Sequence, residues 1–496
     1  MLCHDFNKTS SIRPGGCAIE TIRRLGARAV RRMSRSGAPT GTEAGGGRAI
    51  GPRRPARPPP RRSLLPGAGR YPERVTATLS TTELESEVRS YSRSWPTVFD
   101  RASGTVITDA DGVEYLDFFA GAGALNYGHN NPALKEVAID HLVNDRLIHS
   151  LDMFTTTRND FLETFAKLIL EPRGLHYKVM FPGPAGTTAV EAALKLARKV
   201  TKRTSIVHFT DSFHGMTLGG LAVTGNAKKR AGAGIPLANS SVLPFDGYAG
   251  IAGSAALRVF EHQLNDPSSG LDKPAAVIVE TVQGEGGINA ASSEWLHELQ
   301  AICKRHDILF IVDDVQMGCG RTGGFFSFEE FGLSPDIVVL SKSISGFGFP
   351  MALTLFRKEL DVWKPAEHNG TFRGIGPAFA TAAETLRLYW SDDALEKSTI
   401  AKGEIIAARF ARIIAEHEAH GLISKGRGLA RGLEFETGKL AGDVTRACFE
   451  GGLLLETSGP DDEVVKLLPP LTVTEEELER GLDIIERAVR AVLAGQ

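Results

Sequence analysis

From residue 177 onward, short continuous apolar runs alternate with stretches in which apolar residues recur every three or four positions. Residues 177–181, 205–209, 275–279, 309–312 and 337–340 are runs of four or five residues, the length and texture of strands buried on both faces. Across 187–202, Val190, Ala193, Leu194 and Ala197 share one helical face, and 294–306 predicts a second helix between two of the strands. Strands alternating with helices predict an α/β fold on a mostly parallel, doubly wound sheet, whose ligands gather at the carboxyl ends of its strands. After Asp392 long amphipathic helices dominate, which predicts a smaller C-terminal α+β domain. We divide the chain into an extension (1–77), an N-terminal segment packing with the small domain (78–150), a large domain (151–395) and the small domain (396–496). A helical stripe of Glu83, Leu84, Val88 and Tyr91 is expected to open the folded body near Thr78. No internal repeat is visible.

Composition changes this picture only at the N-terminus. With 42% apolar and 23% charged residues the chain reads as an ordinary globular protein, and no window approaches the roughly 18 apolar residues of a membrane span. Residues 1–75 hold sixteen Lys and Arg against four acids, Asp5, Glu20, Glu43 and Glu73. That segment carries +12, leaving −14 for the rest of a chain whose overall charge is −2. All but seven of the 34 residues from Gly37 to Arg70 are Ala, Gly, Pro or Arg, a composition expected to stay disordered. A nucleic-acid arm lacks interleaved aromatics, and a secretory signal lacks an apolar core. An organellar presequence has some support in the stripe Ile19, Ile22, Leu25, Ala29 and Met33. The expected reading is a dispensable extension, translated from upstream of the true start. The five cysteines form no C-x-x-C pair, which points to a reducing compartment and no metal centre.

Four features at predicted strand ends carry candidate chemistry. Pro182 to Thr188 joins a strand to a helix start, where free N–H groups and the helix dipole suit a phosphate, or simply form a capped turn. Asp313 and Asp314 follow the run 309–312; adjacent residues face opposite ways, so at most one can enter the ligand crevice. Such a carboxylate could hold a protonated ring nitrogen, or lie in a solvated turn. Lys342 ends the strand 337–340, where partial desolvation lowers an amine's pKa and readies it for attack on a carbonyl, although most lysines are merely solvated. The Gly-Cys-Gly-Arg-Thr-Gly at 318–323 matches a dinucleotide fingerprint in letters alone: Gly324, Phe325 and Phe326 follow it instead of an amphipathic helix.

Together these residues resemble the class III (ω-amino acid) aminotransferases, from Thr78 to the C-terminus. The family's strand-end D-E-x-Q-x-G-x-G-R-T-G is matched from Asp313 through Val315, Gln316 and Arg321 to Gly323, and its S-K-x-x-x-G by Ser341, Lys342 and Gly346. The resemblance implies pyridoxal-phosphate-dependent fold type I, with a seven-stranded-type large sheet and pyridoxal 5′-phosphate as cofactor. It makes Lys342 the covalent cofactor lysine, Asp313 the ring-nitrogen partner, Val315 a packing contact under the ring and Gln316 a contact near its hydroxyl. Phe213 and His214 fall in an aromatic-His-Gly element, so Phe213 is expected to stack on the ring. Ala185, Gly186 and Thr187 stand where the family has S-G-T around the phosphate. Glu280 and Glu285 match its E-P-x-Q-G-E-G-G loop. Thr371 resembles a residue that reaches the neighbouring subunit's phosphate, which implies a homodimer or larger homo-oligomer.

Several stretches look like the branch that moves the amino group of L-glutamate to L-aspartate 4-semialdehyde, giving L-2,4-diaminobutyrate and 2-oxoglutarate in ectoine synthesis. Among them are Glu85 to Arg93, Ala120 to Pro132 and Asn369 to Gly374. The resemblance also implies a cytoplasmic enzyme with no nucleic-acid or membrane partner. Relatives acting on 4-aminobutyrate, ornithine or lysine share every cofactor residue, so they remain alternatives, as does a regulator built on the same domain. One departure bears on specificity. Lys466 stands where 4-aminobutyrate-type enzymes pair an arginine with the loop glutamate, and lysine cannot grip a carboxylate bidentately. By analogy, Glu285 is expected to pair with Lys466 for one substrate and release it for the carboxylate of the other.

Overall fold

The computed structural model describes residues 84–495. Its centre is a seven-stranded sheet in the order Tyr177–Met180, Leu353–Arg357, Ile337–Leu340, Leu309–Asp313, Ala276–Val279, Ile206–Phe209, Ser240–Leu243. Leu353–Arg357 runs antiparallel to both its neighbours, and every other pair is parallel. The predicted strands are all present within a residue or so of their expected bounds. Two members had not been singled out. Ser240–Leu243 is a half-exposed edge beginning Ser-Ser, and Leu353–Arg357 follows a Gly/Pro-rich stretch.

The two faces of the sheet explain its unbroken apolar runs. Ile278, Ile311, Ile337 and Val339 meet the Ala-rich face of helix Gly186–Thr201, including Ala189, Ala193 and Ala197. The alternate residues Val277, Val279, Phe310, Val312 and Val338 point the other way. They pack with Trp295, Leu299 and Ile302 of helix Ser293–Arg305. Alternation thus places the apolar residues of each strand in two separate cores.

Beyond the large sheet, Ile423–Arg427, Ala430–Glu434, Val464–Leu467 and Glu456–Ser458 form an antiparallel sheet. Helices Ala394–Glu416, Gly438–Glu450 and Glu475–Ala494 accompany it. The last is sharply capped: Thr474 Oγ1 accepts from Glu477 N at 3.1 Å while Glu477 Oε2 accepts from Thr474 N at 2.9 Å. The N-terminal strand Glu114–Asp117 pairs in parallel with Leu453–Leu454, joining two distant parts of the chain.

The opening helix differs from expectation. Its first residues and the whole basic extension lie outside the described residues. Within them the stripe is broken: Leu84 and Val88 are exposed, and a separate helical turn, Tyr91–Ser94, follows. Tyr91 instead packs on Trp95 and Phe119. Residues 318–323 form consecutive turns with no following helix, as the rejection of a dinucleotide loop requires. Arg321, at 0% exposure, pins these turns by donating to Pro469 O at 2.6 Å, Leu429 O at 3.2 Å and Asn126 Oδ1. Among the described residues no helix is long and apolar enough to cross a membrane.

Candidate active site

A cavity of about 280 Å³ lies at the carboxyl ends of Leu309–Asp313 and Ile337–Leu340. Gly186, Thr187, Phe213, His214, Glu280, Glu285, Asp313, Val315, Gln316 and Lys342 line it. Of the other residues singled out from the sequence, Ala185 sits exposed at the helix cap, Thr371 is exposed away from this cavity, and Lys466 lies deeper behind Glu285.

Lys342 follows the last residues of its strand in a left-handed conformation, φ 49°. The backbone around it is fixed by neighbours: Ser341 Oγ donates to Met351 O at 2.8 Å and Ser343 Oγ to Gly123 O at 2.7 Å. Its own amine has no hydrogen bond or ion pair among the described residues. Burial pushes its pKa down to about 8, with Glu285 opposing and Lys466 adding to the shift. The result is a fixed, reactive amine aimed into the cavity.

Asp313, at 5% exposure, presents its carboxylate from the floor. Oδ2 takes a 2.7 Å hydrogen bond from His214 Nδ1, and Oδ1 accepts from Val315 N at 3.1 Å. Burial alone would lower the pKa of His214, but the Asp313 carboxylate outweighs it and the imidazole is raised. Glu280 accepts from Phe213 N at 3.0 Å, and burial pushes it up to about 7. Asp314 points the other way, accepting from Ser327 N at 2.9 Å and from Ser327 Oγ. Burial pushes it up to about 7 as well. Two adjacent carboxylates therefore serve separate environments.

The third side of the cavity is the N-terminus of helix Gly186–Thr201. Ala185 caps it without a side-chain acceptor; the Thr188 hydroxyl, near Ala185 N at 3.3 Å, closes the turn instead. Gly186 is required by close approach, since a Cβ there would meet Val315 Cγ1 at 2.7 Å. Thr187 Oγ1 lies 2.7 Å from Thr217 Oγ1, which also donates to Glu191 Oε1 at 2.7 Å.

Behind the cavity the expected Glu285–Lys466 pair is a triad. Lys466 Nζ, fully buried, lies 2.8 Å from Glu285 Oε1 and 2.8 Å from Glu456 Oε1. Burial would lower its pKa, but the two carboxylates raise it. Glu285 is pulled the opposite way: burial would raise it, and Lys466, Lys342 and Lys229 hold it well below the usual carboxylate range. The expected pair is present, and Glu456 adds to it: if Glu285 moved away, Lys466 would still face a carboxylate. Sequence reading missed Glu456, which faces Lys466 across an antiparallel pair of strands and carries no motif. It also missed Lys229, 4.3 Å above the Phe213 ring and 3.7 Å from Glu285 Oε2.

Residues 88–489 match the Aminotransferase class-III family. The chain belongs to that family. It is 62% identical over 408 residues to the diaminobutyrate–2-oxoglutarate transaminase of Streptomyces anulatus, covering 82% of this chain and 96% of that one. It is 54% identical to the enzyme of that name from Halomonas elongata, over 82% and 97%. Among solved structures, the ornithine aminotransferase of Toxoplasma gondii superposes with a TM-score of 0.73 at 25% identity, over 84% of this chain and 95% of that one. This class III aminotransferase is thus a transaminase that uses pyridoxal 5′-phosphate. Its cavity suits that group at three points: a partner-free amine, a buried carboxylate braced by a histidine, and a helix N-terminus opened by a glycine.

Proposed function

We propose that this aminotransferase transfers the amino group of L-glutamate to L-aspartate 4-semialdehyde, forming L-2,4-diaminobutyrate and 2-oxoglutarate within ectoine synthesis. The observation that carries this reading is the 54–62% identity, over more than four-fifths of the chain, to transaminases named for that pair of products. Pyridoxal 5′-phosphate supplies an aldehyde for the amino group and a ring that spreads the electrons left behind when a C–H proton departs. Lys342 would anchor the cofactor covalently, and its amine, freed when the substrate's amino group takes its place, would accept that proton from the reacting carbon. Asp313 keeps a proton on the ring nitrogen, with His214 Nδ1 fixing the carboxylate's direction. Phe213 and Val315, which line the cavity, would hold the ring between them, and Gln316 would serve its hydroxyl. Glu280 holds the Phe213 backbone in place. Ala185, Gly186 and Thr187 offer N–H groups and a hydroxyl to the phosphate.

We further propose a homodimer or larger homo-oligomer, in which Thr371 serves the partner's phosphate. The supporting observation is an exposed apolar face that includes Leu147, Ile148, Met153, Phe154 and Phe372. A cytoplasmic place suits the buried free thiols of Cys303, Cys319 and Cys448.

The substrate reading is tested by offering aspartate semialdehyde, succinate semialdehyde and glutamate semialdehyde in parallel, each with L-glutamate. The expected outcome is diaminobutyrate as the fastest-formed product; faster formation of 4-aminobutyrate or ornithine would overturn it. The phosphate turn has its own test. Gly186→Ala forces Val315 to move, and overpacking of this kind costs about 1–3 kcal/mol. Cofactor binding should weaken by roughly tenfold to a hundredfold, read as pyridoxal phosphate lost on dialysis. Unchanged retention would mean that Val315 yields freely.

A further inference from the structure

We propose that Glu456 is a specificity-determining residue: it receives the distal α-ammonium of diaminobutyrate or aspartate semialdehyde in an outer subsite beyond Glu285. The inference rests on the substrate reading above and adds the residue that distinguishes these substrates from simpler ones.

The first observation is a second cavity, about 480 Å³, that shares Glu285 with the cofactor cavity. Tyr91, Lys229, Arg446 and Glu456 are among its walls. An outer subsite bordering the reacting amine's cavity is where the far end of a short amino acid would lie. In both diaminobutyrate and aspartate semialdehyde the reacting carbon is C4, so the far end is an α-amino acid head bearing an ammonium and a carboxylate.

The second observation is charge. Lys466 is one ammonium shared by two carboxylates, Glu285 and Glu456, at 2.8 Å each. Glu285 has a further cation in Lys229 at 3.7 Å, whereas the other close polar contact of Glu456 is neutral: Tyr91 Oη donates to Oε2 at 3.2 Å. Glu456 thus keeps an oxygen, Oε2, whose close partner is a neutral hydroxyl; its side chain is only 9% exposed, burial and Glu285 raise its pKa, and it borders the outer cavity. A buried carboxylate beside a cavity, with one oxygen held only by a neutral hydroxyl, can accept a charge-assisted hydrogen bond from an incoming ammonium. Lys229, on the opposite side of Glu285, offers the counterpart for the carboxylate of the same head. Glutamate, reacting at its α-carbon, brings a distal carboxylate but no distal ammonium, so it uses Lys229 without Glu456.

Single-turnover kinetics on the holoenzyme separate the two half-reactions. A charge-assisted hydrogen bond is lost in Glu456→Gln, so the Kd for L-2,4-diaminobutyrate should rise about tenfold or more. The rate at saturation should change less, and the ratio of efficiencies, diaminobutyrate to L-glutamate, should fall about tenfold. A ratio within about threefold of wild type overturns the assignment. The same expectation holds without mutation. 4-Aminobutyrate is diaminobutyrate without the α-ammonium, and wild type should bind it about tenfold more weakly; equal binding overturns the assignment even if the variant fails to fold. In Glu456→Gln the gap between these two amines should close. A wild type that reacts with glutamate but not with diaminobutyrate would overturn the substrate reading and this assignment together, whereas normal diaminobutyrate turnover with an unmoved ratio would overturn this assignment alone.

Discussion

Lys342→Ala is expected to abolish the visible absorbance of the lysine-bound cofactor and to cut turnover by more than about 10⁴-fold. Proton transfer by a placed side chain contributes about 10²–10⁴ by itself, and the covalent anchor is lost with it. Few other residues can stand in. The neighbouring ammonium of Lys466 is held by two carboxylates, and Lys229 lies over Phe213 on the far side of Glu285. The environment also sets a pH dependence. Burial pushes the Lys342 pKa down to about 8, and only the uncharged amine attacks an aldehyde. Cofactor uptake by the wild-type apoenzyme should therefore quicken as pH rises toward 8 and level off above it. An uptake rate still climbing tenfold per unit near pH 10 would mean that the amine is solvated. A variant that transaminates at a rate comparable to wild type would remove Lys342 from the mechanism.

The parts of this site that sequence could show are those built by local order. Continuous apolar runs located the strands, and a strand's end located Asp313 and Lys342, because alternation and sheet topology turn position along the chain into position in space. The same logic separated Asp313 from Asp314, since adjacent residues on a strand face opposite ways, although which carboxylate would serve the cofactor ring was implied only by resemblance. Contacts between distant segments left no such mark. Glu456 matters because antiparallel pairing sets it opposite Lys466, and Tyr91 because its short helix packs on Phe119 near that carboxylate. Neither relation has a spacing to read. Leu84 and Val88 misled for the converse reason: their helical spacing is real, but a stripe forms a helix in a protein only when something covers it, and here both are exposed. Lys466 shows the limit of analogy. Its position was legible, yet the second carboxylate that changes its chemistry was not.

The two aspartates give the sharpest discrimination. Asp313→Asn keeps the size and the cavity floor but removes the negative charge that would hold a proton on the cofactor ring. If that charge is worth about 4 kcal/mol in the rate-limiting proton transfer, the rate falls roughly 10³-fold. His214 compounds the effect. Its Nδ1 donates to the Asp313 carboxylate at 2.7 Å, and its raised pKa depends on that partner, so the variant removes the charge that raises it. Asp314 makes a different contribution. Its bonds go to Ser327 N and Oγ, its pKa is pushed up to about 7, and an asparagine oxygen can accept the same backbone hydrogen bond. Asp314→Asn should therefore keep the rate within about tenfold of wild type, with any loss appearing as lowered thermal stability from the weakened Ser327 contact. Steady-state rates and cofactor spectra on the two variants, each saturated with pyridoxal phosphate, decide the matter. Equal losses at both positions, or a larger one at Asp314, would mean that the carboxylate serving the ring has been assigned to the wrong residue.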